Sequence, residues 1–371
     1  MKVMMLGASE AGKTTYIASL YDRMADISEW HISASLRSEG EWLKRLAAGI
    51  KRGEYPTRTD TKDEYSFDCR YKYDDGEIVH LFAFTLFDYR GGAIFQADTD
   101  PVSEGVKNQL NKADSLIVFL DASTLDSEGA EKQWRRIQNL CMIYASRAKA
   151  DNPLSLTIVL TKCDTLKDDQ IIFRDDGTID YVETFSKSRT GKKIMSFAET
   201  FSQNDDLRMM LTWTAINKDK TINITHPFYN AMLTGLVKTM NGLTKEAELC
   251  QKNMDKLQST IKILERSYSE KRWENGSENG SIIGCIIVCI IACIIACIIA
   301  LARLLTLEFG NQRENPAYIR RLLEMKKQDL HACAKSLEEK KKQLESMKPF
   351  LIVLRVYLRD HNDEKYGYVL F

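Results

Sequence analysis

The sequence predicts an α/β fold with a mostly parallel central sheet, followed by an α-helical C-terminal region. Three observations predict it. An apolar run at residues 3–6 passes through a glycine-rich turn into a helical pattern. Two short, continuous apolar runs, residues 115–120 and 154–160, have the character of buried parallel strands. From Leu243 onward the apolar residues recur every seven positions. At 371 residues, 44% hydrophobic and 28% charged, the chain has the length of about two folded domains.

Lys+Arg and Asp+Glu balance at 52 each, so no nucleic acid is expected as a partner. The nine cysteines are an odd number, and Cys285, Cys289, Cys293 and Cys297 sit inside an apolar run. The chain reads as reduced and cytosol-facing. Residues 1–6 are too few for a signal peptide, so no export signal is expected.

The opening turn is Gly7-Ala8-Ser9-Glu10-Ala11-Gly12-Lys13-Thr14-Thr15, a phosphate-binding loop of the form Gly-x4-Gly-Lys-Thr. Glycines let the backbone curl so that successive N–H groups converge on one anion, and the helix that follows adds its positive end. Lys13 then neutralises the outer phosphates and Thr14 holds Mg2+. Ile17, Leu20, Tyr21 and Met24 give that helix an apolar face. A second helical stretch at 42–50 ends in Lys51-Arg52-Gly53, and an extended piece, Tyr55-Pro56-Thr57-Arg58-Thr59, follows. Thr57 and Thr59 each carry a hydroxyl that could reach Mg2+, and Thr59 is favoured.

Residues 66–73 and 78–88 read as strands joined by the hairpin signal Asp74-Asp75-Gly76. The second ends in Asp88-Tyr89-Arg90-Gly91-Gly92: Asp88 is placed to hold Mg2+ through water, and the Gly91 N–H to face the γ-phosphate. A helical segment at 106–112 precedes the first buried strand. Residues 130–148 form a helix whose Trp134, Ile137, Leu140, Cys141 and Tyr144 read as core. The second buried strand delivers Thr161-Lys162-Cys163-Asp164. The Asp164 carboxylate can accept from the ring N–H and exocyclic amine of guanine, whereas adenine presents the wrong donors and acceptors. The stem of Lys162 would lie over the base. A strand at 211–216 ends in Thr214-Ala215-Ile216, whose backbone can meet the guanine carbonyl oxygen. Residues 167–208 read as a polar insertion with a solvated basic cluster at 187–193, without a function.

These five motifs, residues 7–14, a threonine near 59, 88–91, 161–164 and 214–216, resemble the ordered G motifs of the translation-factor-related (Ras-like) class of P-loop GTPases, over residues 1–242. The resemblance implies GTP/GDP and Mg2+ as ligands and hydrolysis of GTP to GDP and phosphate. The residues expected to contribute to catalysis are Lys13, Thr59, Gly91 and Glu10. Thr161 stands where Asn is usual, and Thr214 where Ser is. Gly92 stands where Ras-like enzymes carry the glutamine that orients the attacking water. Glu10, Arg90 and Gln96 are candidates for that task, as are a partner or a dimer.

The C-terminal region divides into a first arm (243–273), a linker (274–281), an apolar segment (282–307), a second arm (308–349) and a tail (350–371). Leu243, Cys250, Leu257 and Leu264, with Ala247, Met254, Ile261 and Tyr268, make a coiled-coil seam; Leu323, Leu330, Leu337, Leu344 and Leu351 make a second row. Each arm would be about 45 to 50 Å long as a helix, and equal lengths favour an antiparallel hairpin over self-association. Residues 282–302 lack any charge, and as a helix to Leu305 they would span about 36 Å, enough for a membrane core. The cysteine stripe along this segment suits helix packing and not metal binding. Positive residues on its two sides balance, so they do not orient it. A single span, placing 308–371 across the membrane from the nucleotide domain, is favoured over a re-entrant tip, because two legs of about twelve residues reach only about 18 Å. The re-entrant alternative is similar in layout to dynamin-related proteins.

The chain is thus expected to be a membrane-anchored GTPase with its nucleotide domain on the cytoplasmic side. Its expected partners are guanine nucleotide, membrane lipid, and a second copy or another protein reached through the helical arms. The alternative is a membrane-bound scaffold that binds GTP with negligible turnover.

Overall fold

The apolar run that opens the chain forms β1 (Lys2–Gly7), buried from its second residue onward, and the sheet is built out on both sides of it. The computed structural model describes residues 1–25, 30–56, 63–72, 78–88, 101–127, 129–166, 180–201, 204–216, 221–274, 316–360 and 368–370. After β1 come α1 (Lys13–Ala25), β2 (Trp30–Ala34), α2 (Arg37–Lys51), β3 (Asp63–Lys72) and β4 (Ile78–Asp88). The order continues with α3 (Pro101–Leu110), β5 (Ser115–Asp121), α4 (Ala130–Ala145), β6 (Leu154–Thr161), α5 (Tyr181–Lys187) and α6 (Arg189–Glu199). It closes with β7 (Leu207–Trp213), β8 (Ala215–Ile216), β9 (Thr221–Ile222), α7 (His226–Glu274), α8 (Pro316–Asp360) and β10 (Tyr368–Leu370).

Among the described residues the main sheet runs β10-β7-β6-β5-β1-β4-β3-β2. Its five inner strands, β7, β6, β5, β1 and β4, are parallel, with Met4 opposite Phe87, Met5 opposite Ile117 and Ile158 opposite Leu211. Every residue of β6 is buried, and all but the last of β5. That loss of alternation is what a strand covered on both faces requires. The β3–β4 hairpin and β2 add antiparallel strands on one side. One face of the sheet packs Met4, Leu116, Val118 and Ile158 against Trp134, Ile137 and Tyr144 of α4 and Ile194 and Phe197 of α6. On the other face Tyr16 of α1 meets Phe119 edge-on at 5.0 Å, and Phe228 of α7 meets Phe84 at the same spacing.

Several local readings change. Residues 180–199 are two helices of the core, not part of a solvated insertion. Asp180 caps α5 by accepting from the Glu183 N–H at 2.8 Å, and Ser188 caps α6 by accepting from Gly191 at 2.7 Å. Phe185, Ile194 and Phe197 are buried, so only the outward face carries the basic cluster. Strand β2 falls in a stretch without a strand assignment from sequence, and pairs with β3 from Trp30 opposite Tyr71 to Ala34 opposite Phe67. The strand expected at 211–216 begins at Leu207 and breaks after Trp213, and Ala215–Ile216 pairs with Thr221–Ile222 in a ladder of its own.

The chain forms two compact units, one of Met1–Asn241 with Ser346–Phe371, the other Gly242–Glu345. Within the second unit α7 and α8 lie antiparallel. Ile261 and Leu264 pack with Ile319 and Leu323, while Glu265 pairs with Lys327 at 3.0 Å and Glu246 with Lys340. Within the first, Phe350 near the end of α8 is buried with its ring 4.4 Å from that of Tyr71, and β10 pairs antiparallel with β7, Tyr368 opposite Thr212. Residues 346–371 thus belong to the same compact unit as residues 1–241. Among the described residues no helix is long and apolar enough to cross a membrane. The apolar segment 282–307 lies outside them, as do Thr57, Thr59, the hairpin turn at 74–76, Arg90, Gly91, Gly92 and Gln96.

Candidate functional site

The glycine-rich turn between β1 and α1 has the tight geometry its residues require. A Cβ on Gly7 would stand 2.7 Å from the Phe119 carbonyl oxygen of β5, so a side chain there would push two adjacent strands apart. Gly12 has φ +85°, a left-handed value that disfavours L side chains, and the exposed Glu10 is also left-handed at 65°. The Ala11 N–H returns to the Ala8 carbonyl, and the Tyr16 N–H to Gly12 at 2.8 Å starts the helix. The first turn of α1 holds no acidic residue, so the positive end of its dipole is left for an anion.

Lys13 is 7% exposed, and its ammonium donates to the carbonyls of Gly7 at 3.1 Å and Ala8 at 3.0 Å. Burial pushes its pKa below the ordinary lysine value, and the Asp88 carboxylate opposes that in part. The Thr14 hydroxyl donates to Asp88 Oδ2 at 2.9 Å, joining the helix start to the end of β4. Asp88 is 1% exposed. A hydroxyl and a buried carboxylate this close are the hard oxygen donors that Mg2+ takes, so these two residues fit the expected ion. When bound, such an ion supplies positive charge beside the phosphates.

Behind the loop, Thr161 at the end of β6 has its hydroxyl 3.0 Å from the Ala11 carbonyl oxygen and 3.1 Å from that of Leu120. One proton serves two acceptors, which ties the phosphate loop, β5 and β6 at one point. Lys162 is left-handed at φ 57°, and its ammonium lies 2.6 Å from Asp121 Oδ2 at the end of β5. The Cys163 thiol is buried and its pKa is pushed up by burial. The Thr214 N–H donates to Leu160 at 2.7 Å, and the Thr214 carbonyl accepts from Cys163 N–H at 3.4 Å, which sets β8 beside the 161–164 turn.

These elements enclose a cleft of about 290 Å3 lined by Gly12, Thr15, Tyr55, Thr161, Lys162, Asp164, Thr165, Thr214 and Ile216. Seven of the nine are residues singled out in the sequence, drawn from positions 12 to 216. Gly7, Ala8, Ser9, Glu10 and Ala11 form the loop itself, Lys13, Thr14 and Asp88 cluster at its helix end, and Ala215 lies in β8. Thr59 and Gly91 lie outside the described residues. Asp121, Tyr55 and Thr165 escaped the sequence reading. Asp121 had a signal, an acid directly after a buried strand. Tyr55 is 51% exposed, high for so large a side chain, and only its place in the cleft marks it.

Among solved structures, the chain is similar to the Arl6 (BBS3) small GTPase of Trypanosoma brucei with a bound GppNp analogue, at 15% identity and TM-score 0.34, covering 63% of this chain and 96% of that one. It is also similar to the GTPase-like domain of Ski7 from S. cerevisiae, bound to GTP, at 14% identity and TM-score 0.30, covering 57% of this chain and 42% of that one. No curated protein matches it. The model of the Double-GTPase 2 family matches residues 2–206, from β1 to the threshold of β7. With more than half its length inside that match, and a phosphate loop between β1 and α1, the chain is a P-loop GTPase and belongs to the Double-GTPase 2 family.

Proposed function

We propose that the chain binds GTP with Mg2+ in this cleft and hydrolyses the γ-phosphate with water, slowly in the absence of a partner or dimer. The observation that carries the reading is the convergence of Gly12, Thr15, Thr161, Lys162, Asp164, Thr214 and Ile216 on one cavity. In this reading the loop N–H groups and Lys13 hold the phosphates. Thr14 and Asp88, with Thr59, hold the metal. Asp164 and the backbone at 214–216 read guanine. Thr59, Gly91 and Glu10 serve the γ-phosphate side.

The protein is further proposed to act as a membrane-anchored, nucleotide-dependent switch coupled to its helical arms, with the nucleotide domain on the cytoplasmic side. The uncharged residues 282–302 support the anchor. In this reading residues 1–241 and 346–371, which form one compact unit, stand on the same face of the membrane. Support for coupling is covalent: α7 follows the 214–216 turn by ten residues and runs unbroken to Glu274.

Steady-state phosphate release by the full chain, with and without enforced dimerisation, tests the enzymatic part. Slow release that dimerisation speeds up is expected. Tight GTP binding with no release in either state would instead make the chain a GTP-binding scaffold, the reading that Gly92 in place of the glutamine favours.

A further inference from the structure

We infer that Asp121 is a positioning residue for nucleotide recognition, acting through Lys162; the inference rests on the GTP-binding reading above. Asp121 ends β5 and sits in register with Thr161 of β6. Its Oδ1 accepts from the Ser123 N–H at 3.0 Å and the Ser123 hydroxyl at 2.6 Å, which fixes the carboxylate through a short 3-10 turn, Ala122–Thr124. Its other oxygen, Oδ2, is thereby aimed at the Lys162 ammonium, 2.6 Å away. The Asp121 side chain is 16% exposed and that of Lys162 40%, so the acid is the sheltered, fixed partner and the lysine the one being held.

The consequence lies in the cleft, which Lys162 lines and Asp121 does not. A lysine has four rotatable carbons and a strongly hydrated head. Left alone, its ammonium would sample water and the stem would sweep the space where a base must sit. Anchored at its head by Asp121 and at its backbone by a left-handed turn, the stem is held along one wall as an apolar surface. Ordering it beforehand removes side-chain entropy that binding would otherwise have to remove.

The test compares the equilibrium affinity of the full chain for a fluorescent GTP analogue in wild type, Asp121→Asn, Lys162→Met and the double variant. Asn keeps the acceptor for Ser123, and Met keeps an apolar stem without a charge. Asp121→Asn is expected to weaken GTP binding about fivefold, as for loss of a half-exposed ion pair. In the Lys162→Met background the same change is expected to have no further effect, since the two residues act as one unit. Unchanged affinity in Asp121→Asn, or an equal loss in both backgrounds, would overturn the inference while leaving the nucleotide site standing. A wild-type chain that binds no GTP would overturn both.

Discussion

The hydroxyl of Thr161 lies 3.0 Å from the carbonyl oxygen of Ala11, a residue 150 positions earlier. That contact fastens the strand carrying the proposed base reader to the loop carrying the proposed phosphate site, and so fixes the distance between the two halves of the cleft. Thr161→Val keeps the shape and removes the hydroxyl. With a net hydrogen bond contributing about 1 kcal/mol, GTP affinity is expected to fall about fivefold. Isothermal titration of the full chain checks this, and equal affinities would show that the contact does not position the ligand.

Lys13 gives a pH signature. Burial lowers its pKa below the ordinary value of 10.5, so between the two values the unfolded chain binds more protons than the folded one. Stability of the nucleotide-free protein is therefore expected to rise with pH as Lys13 is neutralised. GTP affinity should move the opposite way, because phosphates require the ammonium, and should weaken through the same window. Lys13→Ala should abolish binding at every pH. Thermal melts and titrations across the alkaline range read both trends, and parallel trends would contradict the role given to Lys13.

Glu131 links α4 to α6. Hydrogen bonds from Lys193 and Arg135, each at 2.6 Å, hold its pKa down at about 2. Its contribution to stability is present above the ordinary carboxylate value of 4.5 and is lost as pH falls towards 2. Glu131→Gln is expected to lower the melting temperature at neutral pH, with the gap closing in acid. A gap that persists unchanged at the acid end would mean that the ion pairs contribute nothing measurable.

Sequence and structure agree where the chemistry demands particular residues. The turn from Gly7 to Thr15 needs glycines and a lysine at set spacing, and the buried strands at 115–121 and 154–161 need unbroken apolar runs, so both were legible. Helices α5 and α6 were not, because a mostly polar stretch masked three buried side chains, Phe185, Ile194 and Phe197. Their caps, Asp180 ahead of Glu183 and Ser188 ahead of Gly191, were the available signal. The partners of Tyr71 and Thr212 are long-range, supplied by Phe350 and Tyr368, and no local pattern encodes such pairing.

The pairing of β10 with β7 makes a prediction of its own. In sealed vesicles with the nucleotide domain facing outward, a tag after Phe371 is expected to be digested together with that domain. A protected tag beside a digested nucleotide domain would contradict the pairing of β10 with β7.

The central claim is that the cleft between Gly12 and Ile216 reads guanine through Asp164 and holds a triphosphate through Lys13. The most direct measurement is displacement of a fluorescent GTP analogue from the full-length protein by unlabelled GTP and ATP, in wild type and Asp164→Asn. GTP is expected to displace it far more effectively than ATP in wild type, and the preference to collapse in the variant through loss of GTP affinity. Equal competition by GTP and ATP in wild type, or a preference that survives Asp164→Asn, would contradict the assignment.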